Sequence, residues 1–153
     1  MTPEEHYAET KEKTDRIVEI YTDWLTKNKG GSYLAIDMPQ YAPTDYLVMN
    51  GSQPKFYLEV KFRNHEKGHY LEEKAPIGKM AYAYLMKDLE KIPSYFMVVW
   101  KDTVGIINLL KFARVNNMLA RADRGTGEDL YVFYNHEDFN ELRDVYFSYI
   151  SVV

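Results

Sequence analysis

Phe56, Leu58, Val60 and Phe62 alternate with Tyr57, Glu59, Lys61 and Arg63. Successive side chains of a strand point to opposite faces, so a period of two sorts these eight residues into an apolar face and a mainly charged one, which a helix could not do. A second apolar run, Tyr46 to Met49, precedes it, with Asn50-Gly51-Ser52-Gln53-Pro54 between the two. Asn-Gly supplies the positive φ angles of a tight hairpin turn, so Tyr46–Met49 and Lys55–Arg63 read as paired antiparallel strands. Any fold for this chain must accommodate that hairpin. It must also explain an acid and a lysine held on one pleat face.

The flanking segments supply the covering layers. Pro3 to Lys29 reads as a long helix, with Ile17, Ile20, Tyr21, Trp24 and Leu25 as its apolar stripe and Gly30-Gly31 as its stop. Ser32 to Ile36 is a short strand, and Asn64 to Lys74 is polar and irregular. Pro76 suits the first position of a helix whose stripe is Ile77, Met80, Ala81, Tyr84, Leu85 and Leu89, ending before Pro93. Tyr95–Trp100 and Val104–Leu109 are strands joined by Lys101-Asp102-Thr103. Lys111 to Ala122 reads as a helix through Phe112, Val115 and Leu119, followed by an Arg124–Gly127 loop, a Leu130–Tyr134 strand and a helix marked by Phe139, Leu142, Tyr146 and Tyr149. Strands interleaved with helices predict an α/β fold, one domain over 1–153 with a central mixed sheet flanked by helices.

At 153 residues and 46% hydrophobic content the chain can bury one core. Without cysteine there is no disulfide, thiolate zinc site or cysteine nucleophile, and no apolar run approaches the roughly 18 residues of a membrane span. These features predict an intracellular, cytoplasmic protein with no membrane partner. A net charge of −4 excludes a protein that coats nucleic acid through charge alone. The charge is uneven, however: eight Lys or Arg face six acids between Lys55 and Lys91, against two and seven from Asp123 onward. The hairpin lies in the mildly basic part.

With the hairpin centred near Ser52, Asp45 lies seven residues before the centre and Glu59 seven after, as direct cross-strand partners. Their Cβ atoms would then be about 4.5–5.5 Å apart. Two carboxylates so close repel unless a cation sits between them, and oxygen ligands suit Mg²⁺ or Mn²⁺ better than zinc. The Val60 carbonyl is a plausible third ligand, and Lys61 stands one pleat step away. This segment resembles the PD-(D/E)XK nuclease superfamily, which includes many restriction endonucleases and Holliday-junction resolvases, with the motif carried by Asp45, Glu59 and Lys61. Thr44 separates Pro43 from the acid, a departure that involves no ligand. The resemblance implies a restriction endonuclease-like core over roughly residues 15–109, with 110–153 as an extension. It also implies two metal-binding acids and a lysine assisting water attack on a DNA phosphodiester.

Members of that superfamily often add an acid from the first helix, for which Glu19 and Asp15 are the candidates. Arg63, Lys74 at the start of the following helix, and His65 could contact DNA phosphates. Cutting both strands of a duplex is simplest for a homodimer.

A competing pattern adjoins the hairpin. His65-Glu66-Lys67-Gly68-His69 matches the HExxH signature of zinc metalloproteases, with Glu90 available as a third ligand. That chemistry needs a packed helix to place both histidines on one face. Lys67 and Gly68 supply neither burial nor helix propensity. A non-catalytic interaction or nucleic-acid-binding module is the remaining alternative, for which the fourteen tyrosines and seven methionines offer modest support.

Overall fold

The computed structural model describes residues 1–40, 42–111, 118–122 and 128–152, with backbone alone for 118–122 and 128–130. Helix α1 (Pro3–Lys29) opens with a capping box, in which Thr2 accepts from the Glu5 amide while the Glu5 side chain accepts from the Thr2 amide. It ends at Gly30, whose φ of 80° is the conformation that glycine adopts without cost. The strands are β1 (Tyr33–Asp37), β2 (Tyr46–Asn50), β3 (Gln53–Phe62), β4 (Glu72–Pro76), β5 (Ser94–Val99), β6 (Val104–Asn108), β7 (Met118–Ala122), β8 (Glu128–Asn135) and β9 (Asn140–Glu141). Helix α2 (Ile77–Glu90) lies between β4 and β5, and α3 (Arg143–Ile150) closes the described chain.

Six strands form the main sheet in the order β1-β2-β3-β5-β6-β9. It is mixed, because β3 and β5 run parallel with Glu59 beside Phe96 and Lys61 beside Val98, whereas the other neighbours are antiparallel. That parallel step requires a crossover, which β4 and α2 supply. On one face, Ile17, Val18, Tyr21 and Leu25 of α1 bury against Val48, Phe56, Leu58 and Val60, with Leu142 and Val145 completing the layer. On the other face, Phe96, Val98, Trp100 and Ile107 bury against Ala83 of α2 and against Ala75, Val132 and Tyr134 of a second sheet. That sheet has three strands in the order β4-β8-β7.

The expected α/β architecture and mixed sheet are present, and several elements differ. Residues 118–122 form β7, paired with β8, where a helix over Lys111–Ala122 was expected; residues 112–117 of that helix and the Arg124–Gly127 loop lie outside the described residues. Strand pairing with β8 overrides the local apolar spacing. Residues 72–76, expected to be irregular or helical, form β4. Its charged sequence is tolerated because Glu73 buries its carboxylate against the Arg63 Nε (2.8 Å) and the Trp100 indole N–H (3.1 Å). Pro76 consequently caps α2 and is not its first residue. Phe139 falls outside α3, between a short 3₁₀ turn at His136–Asp138 and β9. The stripe expected to face inward on α2 is split: Ile77 and Met80 pack against the core, Tyr84, Leu85 and Leu89 are exposed, and Ala83 and Met86 are buried instead.

Candidate metal centre

The hairpin register decides whether the two acids meet. Tyr46 pairs with Leu58, Leu47 with Tyr57 and Val48 with Phe56, and a bulge after Val48 shifts the pairing to Met49 with Pro54 and Asn50 with Gln53. The bulge moves the effective centre of the outer hairpin onto Ser52, as the sequence implied. One step beyond Tyr46–Leu58, Asp45 stands opposite Glu59. The Asp45 amide donates to the Leu58 carbonyl (3.2 Å), and the Thr44 hydroxyl donates to the same carbonyl (3.0 Å). The Asp45 Oδ2 in turn accepts from the Val60 amide at 2.9 Å, which anchors that carboxylate to the strand that carries Glu59.

Glu59 is 4% exposed. The charged pleat face is therefore not a solvated surface at Glu59, which the first turn of α2 covers, although Lys61 beyond it reaches solvent. The Glu59 carboxyl is pushed up to about 7 from an ordinary 4.5, by burial first and then by the nearby Asp45 charge, with Lys79 and Lys61 partly opposing both. Its Oε1 lies 3.2 Å from the Lys79 Nζ and 3.9 Å from the Lys61 Nζ. Its Oε2 is buried with no hydrogen-bond partner among the described residues.

A buried carboxylate oxygen without a donor, beside a second carboxylate, is chemically suited to a hard cation. Among the described residues no three His, Asp or Glu side chains gather into a ready-made cage. Two carboxylates and a backbone carbonyl would leave the remaining positions of an octahedral ion to water and substrate oxygens. Asp45, Val60 and Lys61 line an open cleft of about 210 Å³ together with Lys11 and Thr14 of α1, and Glu59, Lys61 and Lys79 line a neighbouring cleft of about 370 Å³. Lys61 belongs to both, with its side chain 46% exposed at their junction.

The other candidates fall outside this cluster. Asp15 accepts hydrogen bonds from the Tyr46 hydroxyl and the Lys11 ammonium, which also holds Asp37 at 2.6 Å. Glu19 is exposed on α1, away from its buried side. Arg63 is committed to Glu73 and, at 3.2 Å, to the Lys74 carbonyl. Lys74 sits on β4 with its ammonium 4.4 Å from the Tyr131 ring centroid. His65 lies in the loop after β3, with its Nδ1 3.0 Å from the Glu66 carbonyl.

That loop removes the protease alternative. Residues 64–71 are not helical, the His65 and His69 rings meet Tyr70 edge-on, and Glu90 lies at the far end of α2, near the Tyr57 hydroxyl (3.5 Å). Sequence reasoning missed Lys79. Its ammonium donates to the Pro43 carbonyl at 2.7 Å while facing Glu59, tying the loop before Asp45 to the first turn of α2. A lysine among apolar residues at the start of the helix after the motif strand was the signal available.

A mixed sheet with a parallel crossover, helices on both faces and an acid pair at the centre is the architecture of a metal-dependent nuclease. The chain belongs to the family described as "Phage putative PDDEXK endonuclease", whose model matches residues 7–142. It is thus an endonuclease that works with a divalent metal ion. No curated protein matches the sequence. Among solved structures, a nuclease from a fusselovirus shares the fold at a TM-score of 0.58 and 12% identity, covering 99% of this chain and 98% of that one. A Holliday junction resolvase from Archaeoglobus fulgidus aligns at a TM-score of 0.49 and 12% identity, over 86% of this chain and 95% of that one. No described helix is long and apolar enough to cross a membrane.

Proposed function

We propose that the whole chain acts as one DNA endonuclease domain whose centre is Asp45, Glu59 and Lys61. The observation that carries this reading is the buried, donorless Oε2 of Glu59 opposite Asp45, one step beyond the Tyr46–Leu58 pair. Asp45, Glu59 and the Val60 carbonyl would hold Mg²⁺ or Mn²⁺. A divalent ion there supplies Lewis acidity and neutralises charge on a phosphoryl oxygen.

The protein's own residues do the rest. The Asp45 carboxylate is fixed by the Val60 amide, so it presents its second oxygen with little loss of side-chain freedom on binding. The half-exposed ammonium of Lys61, at the junction of the two clefts, donates to the water that attacks phosphorus and offsets the negative charge that grows as the new P–O bond forms. The attacking water releases a proton to solvent, the P–O bond to the leaving strand breaks, and the leaving oxygen takes a proton from solvent. Lys79 holds the Pro43 carbonyl and so fixes the approach of the loop that carries Asp45.

Asp15, engaged by Tyr46 and Lys11, acts in this reading as a strut between α1 and β2, and Glu19 takes no part. Lys74 and His65 flank the site strand and are the candidates for phosphate contacts, while Arg63 serves the fold. The enzyme cuts both strands as a homodimer in the cytoplasm. Incubation of linear, single-stranded and branched DNA with the protein in Mg²⁺, Mn²⁺ or EDTA tests the assignment. Cleavage that needs the ion and is lost in Asp45→Asn is expected; metal-independent cleavage, or none on any DNA, would overturn it.

A further inference from the structure

The clefts along β3 share their walls. Lys61 lines both the cleft of Asp45 and the cleft of Glu59. Arg63 and Lys74 line the second of these and a third, of about 490 Å³. His65 and Tyr70 line the third and a fourth, of about 550 Å³, which reaches Lys101. Four clefts joined in this way make one open trough that starts at the acid pair and ends on the 64–71 loop. Extended backbone from Glu59 to Arg63 covers about 13 Å, so the far end lies at least about four nucleotides of stacked strand from the acids.

That far end is built of rings. The His65 and His69 centroids are 5.5 Å apart with planes 32° from parallel, and Tyr70 meets them edge-on at 4.8 and 4.7 Å. Tyr70 is nevertheless 59% exposed, and Leu71 beside it is 95% exposed. The loop is tied in this pose: the His65 carbonyl accepts from the Lys101 amide (3.0 Å), and the Lys67 amide donates to the Asp102 carboxylate (2.8 Å). The Lys67 ammonium adds an ion pair to Glu141 (2.9 Å), and Gly68 turns the chain with a φ of 86° that favours glycine. Apolar surface held out in solvent by an anchored loop marks a contact site.

Charge and continuity with the centre select the occupant. A chain of net charge −4, with Glu66 and Glu72 on the trough walls, gains little affinity from phosphates alone. Ring faces supply a term that does not depend on charge, because every base has a π-face to stack. A duplex cannot use that term, since its bases already stack on one another. We propose that the trough holds a DNA strand whose bases are unpaired on one side of the scissile phosphate, stacked on Tyr70 and the neighbouring imidazoles. The proposal rests on the nuclease reading and adds a substrate class to it, DNA with a single-stranded segment beside the cut. Lys61 at one end of the trough and Lys101 at the other are exposed cations for the backbone of that strand.

Fluorescence anisotropy of labelled DNA in EDTA, which stops metal-dependent cutting, tests the stacking. The wild type should bind a duplex carrying an unpaired 5′ or 3′ tail of about eight nucleotides about tenfold tighter, or more, than the same duplex with blunt ends. A tail of abasic sugars, which keeps the phosphates and loses the bases, should forfeit that preference. Tyr70→Ala should remove most of it and Tyr70→Phe should keep it, both with wild-type circular dichroism. Tyr84→Ala, at an exposed tyrosine on α2 away from the trough, should also keep it. Failure to bind tailed DNA more tightly than blunt, an abasic tail that binds as well as a normal one, or a Tyr70→Ala protein with the full preference would each overturn the proposal; the last would leave the loop to a protein contact. Cleavage of the same DNAs in Mg²⁺ separates the two readings. Cutting with no preference for tails removes only the trough, and a preference for tails with no cutting of any DNA removes only the nuclease assignment.

Discussion

Replacing Glu59 with Gln should stabilise the metal-free protein at alkaline pH, the reverse of the usual result for removing a buried group with a charged partner. The Glu59 carboxyl is raised from 4.5 to about 7 in the folded chain, chiefly by burial and then by Asp45. A raised folded value means that the native state holds the proton more tightly than the unfolded chain does. The stabilising contribution is therefore complete below about pH 4.5 and is lost as pH rises through 7. The difference of roughly 2.5 units corresponds to about 3 kcal/mol of cost above pH 8, at about 1.4 kcal/mol per unit. Glutamine removes the charge and most of that cost. Lys79 loses its carboxylate partner but keeps the Pro43 carbonyl, so the net gain should be about 1–3 kcal/mol. Urea unfolding in EDTA should show the variant more stable than wild type at pH 8 and equal to it at pH 4.5. Adding Mg²⁺ should reverse the order, because wild type gains about 4.1 kcal/mol at a thousandfold excess over its dissociation constant while the variant gains little. A variant less stable than wild type at pH 8 in EDTA would refute the reasoning, since the Lys79 attraction would then outweigh burial and the Asp45 repulsion.

Other substitutions probe the surroundings of the centre. Arg63→Ala should destabilise the fold by about 3–5 kcal/mol in denaturant titration, because Glu73, 4% exposed, would keep its charge without its main partner. A loss of DNA affinity with unchanged stability would instead make Arg63 a phosphate contact. Gly105→Ala would set a Cβ 2.9 Å from the Trp100 ring and 3.1 Å from the Phe139 Cβ, both packed against the sheet, and should cost about 1–3 kcal/mol by thermal unfolding. His65→Ala and His69→Ala should leave divalent-metal binding intact in calorimetry. Loss of a stoichiometric zinc ion would revive the protease alternative.

The hairpin was readable because two local signals agreed: the Asn50-Gly51 turn and the strict alternation from Phe56 to Arg63. From these came the opposition of Asp45 and Glu59, even though a bulge that no residue announces sets the final register. Long-range choices were not readable. The spacing in α2 reports a two-sided helix, but which side is covered depends on the crossover and on β8, so the apparent core stripe of Tyr84, Leu85 and Leu89 lies outside. Strand β4 was hidden by Glu72, Glu73 and Lys74; the burial of Glu73 makes sense only once Arg63 and Trp100 are brought to it. Lys79 escaped notice because a lysine in a first helical turn looks like any surface cation until the loop at Pro43 folds over it.

The central claim is that Asp45, Glu59 and Lys61 form the cutting centre, and the cleavage rate of duplex DNA by Lys61→Ala in Mg²⁺ tests it most directly. Lys61 is half-exposed and pairs only loosely with Glu59, so the variant should fold and bind the ion as wild type does. Its cleavage rate should nevertheless fall by about 10²–10³. Cleavage at the wild-type rate by a folded, metal-bound Lys61→Ala protein would contradict the account.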